Sequence, residues 1–228
     1  MRKAIAALLT SLGLLLAASS SAPASTEDGP ARAAAFLGRV FKALPSPVVE
    51  EFTFSAWSVS SNPTKEGFGL LKTSAPVDVD RLASLVMAVD KYKGNLDHVV
   101  ECYTVPDVRF HPPVTVHFHQ KVNIPMVNDL QHDLVLNDAG VQNGYRVLYW
   151  YDLEAETAAL KPENGARSAY SVGLWLISKD AVGYGVSNAP YREDVSTYEW
   201  TALTTGSDAL ASPVVRKNIE GLIAWSKR

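Results

Sequence analysis

The chain contains a single cysteine, Cys102, so it cannot form an internal disulfide and its stability has to come from an apolar core. Cys102 sits in the strand-like stretch "DHVVECYTV", where a lone cysteine reads as a small buried apolar residue and not as a nucleophile. A block of lysine or arginine is also lacking. The net charge is −3, or −5 once Arg2 and Lys3 are removed with a leader, which gives little reason to expect nucleic acid or an anionic membrane as a partner. After the first residues no apolar run approaches the roughly 20 residues that spanning a bilayer requires, so no transmembrane segment is expected. The sequence has no G-x-S-x-G elbow, no H-E-x-x-H pair and no phosphate-binding glycine loop. "GYGVS" (183–187) is glycine-rich but lies in a strand pattern, where small residues mark a bend or a close backbone approach. No internal repeat is visible.

What is present begins with a leader. Arg2 and Lys3 precede an apolar run from Ala4 to Ala18 and the small-residue stretch "SSSAPAS", the layout of a secretory signal cut after Ala24. The protein is therefore expected to be exported, to the periplasm or the medium. The remainder is about one ordinary domain by the ~100–200 residue norm, and a hydrophobic content of 47% is enough to fill its core.

Residues 25–66 read as a helix and an extension. "ARAAAFLGRVFKAL" places Phe36, Leu37, Val40, Phe41 and Leu44 at helical spacing before "PSP" stops it, and "VVEEFTFSAWSVSSNPTKEG" starts strand-like and ends in a loop. From residue 67 the pattern is more regular. "GFGLLKTSAPV" reads as a strand, and "DVDRLASLVMAVDKY" as a helix capped by Asp78 with Leu82, Leu85, Val86 and Val89 on one face. Strand-like segments follow at 97–105, 115–125, 130–138, 145–154, 166–178 and 181–190, the spacing of an antiparallel meander. Ser212 and Pro213 have the preferences of a helix start, and Val215, Ile219, Leu222 and Ile223 then recur on one face of a long closing helix.

"TVHFHQKVNIP" (115–125) holds His117 and His119, close behind His111. Alternate residues of a strand share a face, so Thr115, His117, His119, Lys121 and Asn123 point one way and Val116, Phe118, Gln120, Val122 and Ile124 the other. A metal needs three or four converging ligands. The direction of His111, in a loop before two prolines, is not fixed, so the histidine side is expected to be a solvated face and no metal site is expected. "QNGY" (142–145) is a two-residue hairpin signal. Pairing Gln142 with Tyr145 and counting back sets Leu136 opposite Tyr151. Leu134, Leu136, Val147, Tyr149, Tyr151 and Leu153 then share a greasy face, with Arg146, Trp150, Asp152, Asp133 and Asn137 on the other. His132 falls on the greasy face, as Gln120 does on its own strand.

The order of elements resembles the START-like lipid-binding and polyketide-cyclase superfamily, also called SRPBCC. The pieces that carry it are "VDVDRLASLVMAVDKYKGNLDHVVECYTV" after the first strand, the meander "VHFHQKVNIP…DLVLND…YRVLYWYDLE", and the final "SPVVRKNIEGLIAWSKR". The resemblance covers about Gly67 to Arg228 and implies an α+β helix-grip fold, a curved antiparallel sheet wrapped around a long C-terminal helix. The N-terminal helix and residues 48–66 lie outside the usual core.

Three functions fit this reading. The first is a non-enzymatic binder or carrier of a lipid or other hydrophobic small molecule, held without a cofactor between sheet and helix. Phe118, Gln120, His132, Leu134, Leu136, Tyr149, Tyr151, Tyr170, Leu174, Val215, Ile219 and Leu222 are its candidate ligand-binding residues. The same pattern also describes a solid core. The second is a cyclase or aromatase-like enzyme, for which Glu101, His132, Tyr149, Tyr151 and Tyr170 are the internal acid or base candidates, although no dyad is recognisable among them and no catalytic residue is assigned. The third is a closed-core envelope interaction module presenting Trp150, Trp175 and Trp200 with the loop 187–200. The pattern specifies no oligomeric state.

Overall fold

The computed structural model describes residues 28–48, 50–124, 129–205 and 207–228; the expected leader, 1–24, lies outside the described residues. Helix α1 runs over Gly29–Ala43. Asp28 caps it, its carboxylate accepting from the Ala31 N–H at 2.9 Å, and Pro30 occupies the first turn, where no intrahelical N–H is needed.

Eight strands form one sheet: β1 (Phe52–Ser58), β2 (Lys65–Lys72), β3 (Val99–Thr104), β4 (Thr115–Val122), β5 (Leu130–Gln142), β6 (Tyr145–Asp152), β7 (Ala166–Ile177) and β8 (Ala181–Pro190). Their spatial order is β1-β2-β8-β7-β6-β5-β4-β3, with antiparallel neighbours throughout. Where β6 stops, β5 and β7 pair directly in parallel through Leu130↔Ala166 and Gln131↔Arg167. The strand-like start of the segment 48–66 becomes β1, matched to β2 from Phe52↔Leu71 to Ser58↔Lys65.

The other helices are α2 (Val79–Met87), α3 (Glu154–Ala158), α4 (Thr197–Thr205) and α5 (Ser207–Ser226). Asp78 caps α2 as expected, accepting from the Arg81 N–H at 3.0 Å. α5 starts earlier than the Ser-Pro signal suggests, and Pro213 lies inside it. Ala211, Val214, Val215 and Asn218, spaced i, i+3, i+4, i+7, all face one cavity, so the lining face of the helix begins before Pro213. α4 also replaces part of the loop expected over 187–200.

α2 and α5 pack on the concave face of the sheet, where Val116, Phe118, Leu134, Leu136, Leu148, Trp150, Trp175, Val215, Ile219 and Leu222 form the main core. α1 covers part of the opposite face with Phe36 and Val40, against Phe68, Leu70, Val147, Val172, Leu174 and Leu176. Its two arginines clamp it there. Arg39 holds Glu66 through two bonds of 2.7 and 2.6 Å, and Arg32 reaches the buried Asp152 at 2.8 Å while its guanidinium lies over the Tyr170 ring.

The hairpin forms as read, with Gln142 opposite Tyr145 and positive φ at Asn143 (50°) and Gly144 (81°). The register beyond it differs by one residue. Ala139 and Gly140 together oppose Val147, so that Asp138 pairs with Leu148, Leu136 with Trp150 and Val135 with Tyr151. Gly140 takes φ 72° and its N–H donates to the Asp138 carboxylate at 3.0 Å, which stabilises the bulge. This extra residue turns Tyr149 and Tyr151 away from Leu134 and Leu136 and brings Trp150 to their side.

Candidate functional site

Between the concave face and α5 lies a cavity of about 200 Å³. Its inner wall is apolar and largely aromatic. Phe118 comes from β4, Leu136 from β5, Trp150 from β6, Trp175 from β7, Tyr184 and Val186 from β8, and Tyr92 and Leu96 from the turn after α2. α5 closes it with Ala211, Val214, Val215 and Asn218. The half-buried rim is made by Lys65, Asp97, His98, Ile124, Ala202 and Leu203. It is drawn from the start of β2, the residues just before β3, the segment after β4, and α4.

The wall consists of rigid rings that brace one another. Tyr184 lies 4.4 Å from Trp175 and 5.7 Å from Trp150 between ring centroids, and Tyr92 meets Phe118 and Trp225 edge-on at 6.4 and 6.5 Å. The Tyr92 hydroxyl donates to the Val86 carbonyl. Flat rings held in this way have few rotamers through which to collapse inward, so space remains beside them.

Most polar groups of the wall are already satisfied by the protein. The Asn188 side-chain oxygen accepts from Ser171 at 2.7 Å, and the Thr64 hydroxyl bonds Asn62 and the Asn188 carbonyl. Ser187 accepts from Asn62 at 2.6 Å and donates to the Lys65 carbonyl at 3.2 Å. Gln120 differs. Its Oε1 lies 3.2 Å from His132 Nε2, and its side chain also bonds Cys102. Burial pushes the pKa of His132 down to about 3, with His119 adding to the effect, so the ring is neutral. Burial, reinforced by Asp90, raises the Cys102 thiol, and burial alone raises the Tyr184 phenol. Both stay protonated at neutral pH.

The candidate residues divide between the two faces. Phe118, Gln120, Leu136 and Val215 line the cavity. Leu134, Ile219 and Leu222 lie on the same side but belong to the packed core, and His132 stands behind Gln120. Tyr149, Tyr151, Tyr170 and Leu174 do not face the cavity: they pack on the other face, in the cluster under α1. The β5 bulge reverses the tyrosines of β6, and the pairing Leu174↔Tyr149 carries β7 with them. Glu101 is exposed, so none of the acid or base candidates lines the cavity.

Trp150, assigned by the register to the polar face, and Trp175 are cavity wall, 8% and 1% exposed; neither forms a surface patch. Trp200 is half-buried against Leu130, Ala166 and Val195. Asp138-Ala-Gly, three residues before the hairpin, was the available signal for the bulge.

The alternation in β4 is as read, but the histidine side is not solvated. His117 and His119 are buried and bond Asp107 and Asp133 through Nδ1 at 3.0 Å each. The loop before β4 folds back over the strand, setting Phe110 edge-on to His117, while Tyr103 of β3 stacks on His119 at 5.0 Å. No group of three or more metal-ligating side chains converges among the described residues. No described helix is long and apolar enough to cross a membrane.

No family model matches the chain, and no curated protein matches it. Solved structures do resemble it. It is similar to a fragment of the STAR-related lipid transfer protein from Xanthomonas axonopodis, at 12% identity and a TM-score of 0.60 over 79% of this chain and 96% of that one. It is also similar to human StAR-related lipid transfer protein 5, at 6% identity and 0.58 over 86% and 97%, and to human STARD10, at 11% and 0.59 over 83% and 79%. At these identities the likeness is one of fold, and that fold is the START-like helix grip.

Proposed function

We propose that the protein is an exported binder or carrier of a hydrophobic small molecule, held between the sheet and α5. The observation that carries this reading is the cavity itself, an aromatic-lined space of about 200 Å³ enclosed where a solid core would leave none. The lipid-transfer neighbours support it through their shared fold. Pockets for drug-sized ligands run to roughly 300–1,000 Å³, so the present space suits a compact molecule, or one end of a longer molecule whose remainder passes the rim. Export rests on the leader at 1–24.

Native mass spectrometry of the protein purified gently from its own envelope, followed by solvent extraction, tests both parts. The expected result is an N-terminus at Ser25 and a near-stoichiometric adduct of small-molecule mass. Leu136 is 1% exposed and lines the cavity, so Leu136→Trp is expected to fill the space and abolish the adduct. A bare mass, with no uptake from a lipid extract, would reject the binding role.

A further inference from the structure

Resting on that reading of the cavity, we propose that its ligand is uncharged and carries a carbonyl oxygen, which accepts a hydrogen bond from the Gln120 side-chain amide.

Of the polar groups in the wall, Gln120 keeps an amide N–H that the protein does not use. His132 stays neutral in its buried site, and donation from its Nε2–H to Gln120 Oε1 fits the 3.2 Å contact. That tautomer leaves the buried Nδ1 as a bare lone pair without a partner, a smaller penalty than an orphaned N–H. The bond fixes the orientation of the amide: the oxygen is taken, and the NH₂ group is presented. Cys102 uses at most one of its two N–H groups, and no other protein group bonds the amide nitrogen among the described residues. Gln120 is only half-buried, and it borders the cavity.

Tyr184, on β8, is another cavity residue with an unused hydroxyl. Its ring is fixed against Trp150 and Trp175, yet its hydroxyl has no hydrogen-bond partner among the described residues. It stays a phenol, because burial disfavours the phenolate. The register sets Tyr184 level with Asp138 and Gln120 level with His132, six residues away along β5, so the acceptor for the Gln120 N–H comes from the ligand and not from this hydroxyl.

The same wall decides the ligand's charge. The charged cavity residues Lys65 and Asp97 stand at the half-buried rim, as does His98, and the deeper residues Phe118, Leu136, Trp150 and Trp175 are all uncharged. A carboxylate drawn past the rim would meet the uncharged Gln120 and the rings below it, losing solvent without gaining a countercharge. Position follows from the strand: Phe118 lies two residues deeper than Gln120, or roughly 6–7 Å at the usual rise. The ligand therefore places an apolar body of about that length below its oxygen.

Three isosteric probes test this by isothermal titration of the purified protein: 2-acetylnaphthalene, 2-ethylnaphthalene and 2-naphthoate. The ketone is expected to bind at least about tenfold more tightly than the hydrocarbon, the effect of leaving buried donors unpaired, and more tightly than the carboxylate. In Gln120→Leu the ketone should bind within about twofold of the hydrocarbon. Equal binding of ketone and hydrocarbon by the unaltered protein, or tightest binding of 2-naphthoate, overturns this inference and leaves the cavity reading standing. A ketone preference that survives Gln120→Leu also overturns it. If none of the three binds, it falls together with that reading.

Discussion

Across β6 and β7, Gly173 pairs with Trp150, and a Cβ placed on Gly173 would fall inside the indole ring. The absent side chain therefore allows the tryptophan to lie flat against the sheet and form cavity wall. Gly173→Ala is expected to push the indole outward and to cost about 1–3 kcal/mol, as overpacking usually does, with a shifted tryptophan emission maximum. Urea unfolding and emission spectra check both. His132 supplies a pH dependence. Its folded pKa, about 3, lies below the roughly 6.5 of an unfolded histidine, so the unfolded chain binds more protons between those values. Its contribution to stability is complete above about 6.5 and is lost as the pH falls toward 3, by up to about 1.4 kcal/mol per pH unit. Urea midpoints measured at pH 7 and pH 4.5 should accordingly fall less in His132→Asn than in the unaltered protein; equal falls would show that the ring protonates freely in the fold.

At the scale of elements, α1 is held on the sheet by groups that are themselves buried. Arg32 and Asp152 are each about 1% exposed at the side chain, and the other Arg32 contact, Glu154, is 53% exposed. Asp152→Asn leaves the guanidinium without its buried countercharge and is expected to destabilise the protein by roughly 3–5 kcal/mol. Arg32→Met combined with Asp152→Leu should recover most of that loss, because no buried charge then remains. A full denaturant curve for the two variants gives the comparison, and a double variant no more stable than the single one would mean that the pair contributes something besides charge balance. α1 itself was readable from its spacing and stop signal. Its target was partly readable too, since "SVGLWLI" in β7 is apolar without alternation, as expected of a strand covered on both faces. The bulge at Ala139 and Gly140 was the harder feature, because period-two counting carries a register correctly only while no residue is inserted.

For the whole molecule, the decisive property is that the concave side is hollow near the rim and packed farther in. Leu136→Trp separates this arrangement from a solid core. With the cavity present, the indole is expected to enter empty space with only a modest change in unfolding free energy; in a filled core it would cost about 1–3 kcal/mol or more. A bound ligand should also raise the melting temperature in proportion to the logarithm of its concentration above Kd, and Leu136→Trp should abolish that rise. Taken alone, the sequence determined the succession of α1, α2, the strand meander and α5, the hairpin, the alternation along β4 and the apolar stripes of α2 and α5, because each depends on residues within a few positions of one another. It also placed Phe118, Gln120, Leu136 and Val215 on the side that became the cavity. Only the tertiary structure decided that Trp150 and not Tyr151 stands opposite Leu136, that α1 takes the tyrosine face, that acidic partners bury His117 and His119, and that the rings around Tyr184 leave a space. Each of these depends on a register or a contact between distant segments, and an apolar face has the same periodicity whether it meets another side chain or a void.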